Sequence, residues 1–238
     1  MGVVNTRVNV VVDELPALRR LVALEFSARA EEAIDARGRF VVALPGGSVA
    51  SAFFPGLARA PINWGRVELF WIDERAVPPD HPDSNYALAA KLLLRPAGIV
   101  PSRVHRMRGE VEDLEDAARR ASDDFTAIAG NPAQIDLALV GVGEDGHVGS
   151  VFPSRSSAHD DSSAPIIAVY DAPKPPPRRL TMTLPVMANA ARVVVAAFGT
   201  EKARIVNHAV RHAEDRSPVA ELLRRAPSSM VLLDGDSH

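Results

Sequence analysis

Four short stretches of this chain are apolar at nearly every position rather than at every second one: RFVVAL (39–44), VELFWID (67–73), IDLALVGVG (135–143) and ARVVVAAFG (191–199). A strand with one wet face alternates apolar and polar residues. A strand without alternation is covered on both faces, as happens inside a parallel sheet flanked by helices. Helical patterns lie between these stretches. In ELPALRRLVALEFSARAEEAIDARG, Leu15, Leu18, Val22, Phe26 and Ala30 recur at helical spacing and Gly38 supplies a stop. SVASAFFPGLAR reads as a short helix, SNYALAAKLLL (84–94) as a helix capped by Ser84, and VEDLEDAARRASDDFTAIAG (111–130) as an amphipathic helix with an acidic first turn. EKARIVNHAVRH and PVAELLRRA follow the same period. RVNVVVD (7–13), RVHRM (103–107) and SMVLLD complete the set of strands. The alternation predicts an α/β fold, doubly wound, with a mainly parallel sheet and helices on both faces. No repeat or long linker divides residues 1–238, so a single domain is expected.

Composition narrows the chemistry. With no cysteine, the chain forms no disulfide, thiolate nucleophile or zinc–cysteine site. A formal net charge of −3 provides no global basic field for nucleic acid. No apolar run approaches the ~18 residues of a membrane span. These features, with an N-terminal stretch unlike a signal peptide, give the expectation of a cytoplasmic protein that binds neither nucleic acid nor membrane.

In open parallel sheets ligands gather beyond the carboxyl ends of the strands, which directs attention to the segments after Leu44, Ile72, Val140 and Phe198. PGGS follows the first: Gly46, Gly47 and Ser48 form either an anion-binding helix start or a tight turn capped by Ser48. DER follows the second: Asp73, Glu74 and Arg75 form either a substrate clamp or a solvated charge cluster. GVGEDGHVGSVFP follows the third and satisfies G-x-G-x-x-G through Gly146. The dinucleotide reading of that fingerprint fails, because Gly149 and Pro153 interrupt any following helix. Asp160 and Asp161 stand at the distance of a ribose-binding acid, but the helix–strand unit between is missing. What remains is His147 beside Glu144 and Asp145, either a general base or a locally bonded loop histidine. Lys202 begins a helix, where the macrodipole disfavours a cation unless an anion binds there. Arg178 and Arg179 precede another apolar run and offer further anion contacts. His208 and His212 share a helix face without an H-E-x-x-H pattern, which favours a surface pair over a metal site.

LPGGSVA, FWIDERAVPPDHPDSNY, GVGEDGHVGSVFP, RRLTMTLPVMANA and GTEKARIV, in that order, resemble the motifs of the 6-phosphogluconolactonase family. The resemblance runs from Val8 to Leu233. It implies hydrolysis of a phosphorylated sugar lactone, a small-molecule partner, no cofactor or metal, and a monomer or weak homo-oligomer. It makes His147 the general base and Arg75 a cation at the substrate. It places Gly46, Gly47, Ser48, Asp73, Gly146, Arg179 and Lys202 around the sugar phosphate. Two family threonines are replaced, by Val49 and Val148. The related aminosugar-phosphate deaminases carry Asn-Glu soon after the histidine, where this chain has VGSVFP. A non-catalytic sugar-phosphate-binding domain is the remaining alternative.

Overall fold

The computed structural model describes residues 8–130, 132–153 and 164–235. Arg7, Asp160 and Asp161 lie outside them. The strands are β1 (Val8–Asp13), β2 (Phe40–Leu44), β3 (Val67–Trp71), β4 (Asp73–Arg75), β5 (Leu137–Gly141), β6 (Ile166–Val169), β7 (Arg179–Met182), β8 (Arg192–Ala197) and β9 (Ser229–Asp234). The helices are α1 (Leu15–Arg37), α2 (Gly47–Leu57), α3 (Asn85–Ala89), α4 (Leu114–Ala129), α5 (Leu184–Ala188), α6 (Thr200–Arg211) and α7 (Pro218–Arg225).

Six strands form one parallel sheet in the order β3-β2-β5-β8-β9-β1. The missing alternation in the sequence has its reason here. Phe40, Val42 and Leu44 of β2 pack with Leu18, Phe26 and Phe53 on the face carrying α1–α3. Val41 and Ala43 pack with Phe125, Leu180 and Val206 on the opposite face. Each such fully buried Leu, Val or Phe contributes about 1.5–3 kcal/mol of apolar transfer free energy. The α1 helix ends as its sequence implies, with Gly38 in the left-handed region at φ 74° and its N–H bonded to Ile34 O.

From β2 the chain continues outward to β3 and from β5 outward to β8 and β9, so the order reverses between the neighbours β2 and β5. The crevice between their carboxyl ends is therefore the switch point at which such sheets hold ligands.

A second sheet was not foreseen. The expected strand 67–73 divides at Ile72, whose N–H donates to Leu44 O in the main sheet and whose carbonyl accepts Met182 N–H. Asp73–Arg75 then enters a three-stranded antiparallel sheet, β4-β7-β6. Other boundaries move for local reasons. The helix 111–130 starts at Leu114 because Asp113 accepts Asp116 N–H as its cap. The helix expected over 84–94 keeps Ser84 as cap but passes from α to π geometry at Ala90. RVHRM makes only one bridge to the sheet, Leu69 with Val104.

Candidate active site

The crevice holds a cavity of about 280 Å3 lined by residues from all four anticipated segments. Gly46, Gly47, Ser48 and Val49 come from the start of α2, and Asp73 and Arg75 from β4. Glu144 and His147 come from the segment after β5, and Lys202 from the first turn of α6. Arg179 reaches it from β7, together with Lys174 from the proline-rich segment. Gly146 is not in the lining. At φ 82° it turns the chain toward α7, where its carbonyl accepts Val219 N–H.

Ser48 is not the cap of α2. Gly46 occupies that position with extended backbone, and no side chain caps the first-turn N–H groups. The amide N–H groups of that turn are thus free of side-chain partners and supply an anion-binding end beside the cavity. Gly46 is forced by its neighbour, since a Cβ there would stand 1.8 Å from Asn85 Oδ1. Val49, where the resembled family has threonine, is buried with its methyl against Gly141. Val148 at the other substituted position is fully buried and bridges Val142 and Val151. Both replacements thus sit in apolar packing.

His147 is held from two directions. Asp145 Oδ1 lies 2.5 Å from Nδ1 and also accepts the His147 backbone N–H, while the imidazole packs 4.8 Å from the Phe152 ring centre. Burial pushes the Asp145 carboxyl upward, but the charge and hydrogen bonds of His147 outweigh it and hold the group below the ordinary aspartate value. An ionised carboxylate only accepts, so in the neutral tautomer that this bond selects Nδ1 carries the proton and Nε2 the lone pair. The glycine at 143 serves this ring: a Cβ there would lie 2.0 Å from His147 Cε1. Gly143→Ala is therefore expected to displace the imidazole and lower turnover about 100-fold, the cost of a misplacement near 1 Å. Steady-state kinetics beside a thermal melt checks this, and an unchanged kcat would contradict the contact.

Arg75, Lys174, Arg179 and Lys202 outnumber Asp73 and Glu144 in the lining, so the cavity suits an anion. The Arg179 side chain is buried, with Nε donating to Pro176 O, Nη2 to Lys174 O and Nη1 lying 3.9 Å from Asp73 Oδ2. Burial lowers its pKa, Asp73 opposes the shift, and Arg75 adds to it. A guanidinium nonetheless stays cationic at neutral pH. Arg75 donates from Nη1 to Asp83 O, while its Nε is buried without a partner. A charged donor in that position is ready for a ligand. Arg178 turns away, donating to Glu112 O. His208 and His212 stack on the α6 surface, their Nδ1 atoms on Asp215 and Glu214.

Sequence reasoning missed the frame behind these groups. Glu74, 3% exposed, accepts four hydrogen bonds: from Arg75 N and Asn85 N at Oε1, and from Ser84 Oγ and Tyr86 N at Oε2. Its carboxyl is raised by burial, which exceeds the lowering by these donors. The carboxylate straps the start of α3 to β4. Asn85 Nδ2 then donates to Asp73 O at 2.8 Å, and Ser150 Oγ donates to Asp73 Oδ2 at 2.7 Å. The only sequence signal for this frame was the cap expected at Ser84.

The family model described as glucosamine-6-phosphate isomerases/6-phosphogluconolactonase matches residues 14–232. The 6-phosphogluconolactonase of Mycobacterium tuberculosis is 37% identical over 215 residues, covering 86% of each chain. The protein named Probable 6-phosphogluconolactonase 3, chloroplastic, of Oryza sativa subsp. indica is 34% identical over 214 residues, or 84% of this chain. The match spans only 63% of that rice protein's length. Among solved structures, 6-phosphogluconolactonase of Thermotoga maritima superposes with a TM-score of 0.84 at 22% identity, covering 95% of this chain and 99% of its own. The structure of devB protein superposes with a TM-score of 0.85 at 26% identity, covering 97% of this chain and 98% of its own.

Proposed function

The chain belongs to the glucosamine-6-phosphate isomerase/6-phosphogluconolactonase family, and on that premise we propose that it hydrolyses 6-phosphoglucono-1,5-lactone to 6-phosphogluconate. The observation that carries this reading is an Asp145-oriented imidazole on a cavity whose cations exceed its carboxylates. His147 Nε2 takes a proton from water as the water oxygen attacks the lactone carbonyl carbon. The tetrahedral oxyanion takes hydrogen bonds from Arg75, of the kind worth a few kcal/mol. The carbonyl re-forms as the bond to the ring oxygen breaks, and the imidazolium returns its proton to that oxygen. Water is consumed, histidine is regenerated neutral, and the product is a carboxylic acid that ionises. Lys202, Arg179 and the Gly46–Ser48 turn hold the phosphate, whose binding energy fixes the reacting carbon near Nε2.

The deaminase alternative needs a carboxylate after the histidine. Val148 is buried there, and the hydroxyl of Ser150 is already committed to Asp73. A direct comparison separates the two readings: acid release from fresh 6-phosphoglucono-1,5-lactone against ammonia release from glucosamine 6-phosphate. Lactone turnover above spontaneous hydrolysis is expected. Ammonia release without lactone turnover would overturn the proposal. Lys202→Ala is expected to raise KM about tenfold for the phosphorylated lactone, as fits loss of one charge-assisted contact. The KM for the unphosphorylated lactone should not move, and an unaltered preference between the two would remove Lys202 from the phosphate pocket.

A further inference from the structure

Lys174 and Glu144 come from separate segments and meet at the cavity. Lys174 Nζ donates to Glu144 Oε2 at 3.1 Å, both side chains are more than half exposed, and both line the space beside His147. Lys174 does not owe its place to that ion pair. Its backbone carbonyl is bonded by the buried Arg179 guanidinium, which ties the proline-rich segment to β7. We propose that Lys174 is a further phosphate-binding residue, and that Glu144 is an internal anion that holds its ammonium until the substrate phosphate displaces it.

The inference rests on the sugar-phosphate reading of the cavity and adds a residue and a competition to it. Glu144 is a carboxylate with one charge, whereas a phosphate monoester carries close to two near neutral pH and offers three acceptor oxygens. Lys174 and Lys202 both act on Glu144: the hydrogen bond and charge of Lys174, then the charge of Lys202, hold its carboxyl below the ordinary glutamate value. A dianion that meets both ammonium groups replaces one acceptor by three. The glutamate, with its side chain 57% exposed, returns to water at little cost. The same competition discriminates against unphosphorylated sugars, which cannot displace it.

Titration calorimetry at low ionic strength, with 6-phosphogluconate and with inorganic phosphate, reads the competition without relying on turnover. Glu144→Gln should tighten both ligands about threefold, and Lys174→Met should weaken them by a similar factor, the scale of one solvent-exposed charge pair. Lys174→Arg should restore wild-type affinity. In the double variant the gain from Glu144→Gln should largely vanish, since the ammonium that Glu144 holds by a hydrogen bond is gone. Unchanged affinity in Lys174→Met, or a Glu144→Gln gain that persists undiminished in the double variant, would overturn the proposal while leaving the sugar-phosphate site intact. Failure of the wild type to bind either ligand would overturn both.

Discussion

Replacing His147 by alanine is expected to lower the turnover of 6-phosphoglucono-1,5-lactone about 1000-fold, within the range that a positioned general base supplies. The side chain is held by one carboxylate and one ring, so its loss removes the proposed base without removing a core residue. The melting temperature should therefore stay close to that of the wild type. Spontaneous opening of the lactone sets a floor, so rates must be read after subtracting it. Added imidazole should recover part of the lost rate, because truncation leaves room beside Asp145 for a ring of that size. Undiminished turnover in the variant would remove His147 from the chemistry, and another group would have to activate the water.

The second large effect falls on stability. Glu74→Ala strips the acceptor from three backbone N–H groups and one hydroxyl in a region that water reaches poorly. A cost of about 3 kcal/mol is expected, each buried donor left unpaired costing about 1–3 before relaxation. For a chain of this size that is a drop of roughly 10 °C in Tm. Glu74→Gln retains one acceptor oxygen and should lose about half as much. The pH dependence has a definite sign. The folded carboxyl lies above its ordinary value of 4.5, so between that value and the raised one the native state binds the proton more firmly than the unfolded chain. The contribution of Glu74 to stability thus falls as pH rises through that window and is level above it. The glutamine variant lacks this fall, which a comparison of melts from pH 4 upward would reveal. A variant as stable as the wild type at all pH values would show that the strap is dispensable.

What could be read from the letters was the part governed by local period and by chain-end chemistry. The unalternating runs of β2, β3, β5 and β8 announced burial on both faces; β2, β5 and β8 are interior strands of the sheet, and β3 is buried throughout although it stands at the edge. Gly38 and Ser84 ended and began helices as their side chains require. The small sheet stayed hidden because β4 is three charged residues, whose strand character comes only from pairing with β7. In the site, the strand-end rule led to four of the segments that line the cavity but not to Asn85 or the proline-rich segment with Lys174, and the reasons for its glycines were not local. Gly143 is small because His147 lies over it, and Gly46 because Asn85 does. Neither cause has a sequence period. The fingerprint spacing through Gly146 pointed toward a dinucleotide, while that residue in fact shapes the turn against α7. Glu74 gave no sign of its role, because its four donors arise mostly from a helix start ten residues further on.

Ile72, the residue at which the chain leaves one sheet for the other, has a consequence for how such a protein can diverge. His147 and Asp145 hang from the large sheet, and Arg75 and Arg179 hang from the small one. The residues that line the cavity are thus carried on two platforms that share a seam. Mutations in β7 and the proline-rich segment can alter the cations on one side of the cavity while His147 and Asp145 keep their support. A laboratory search for altered ligand preference has its natural library there.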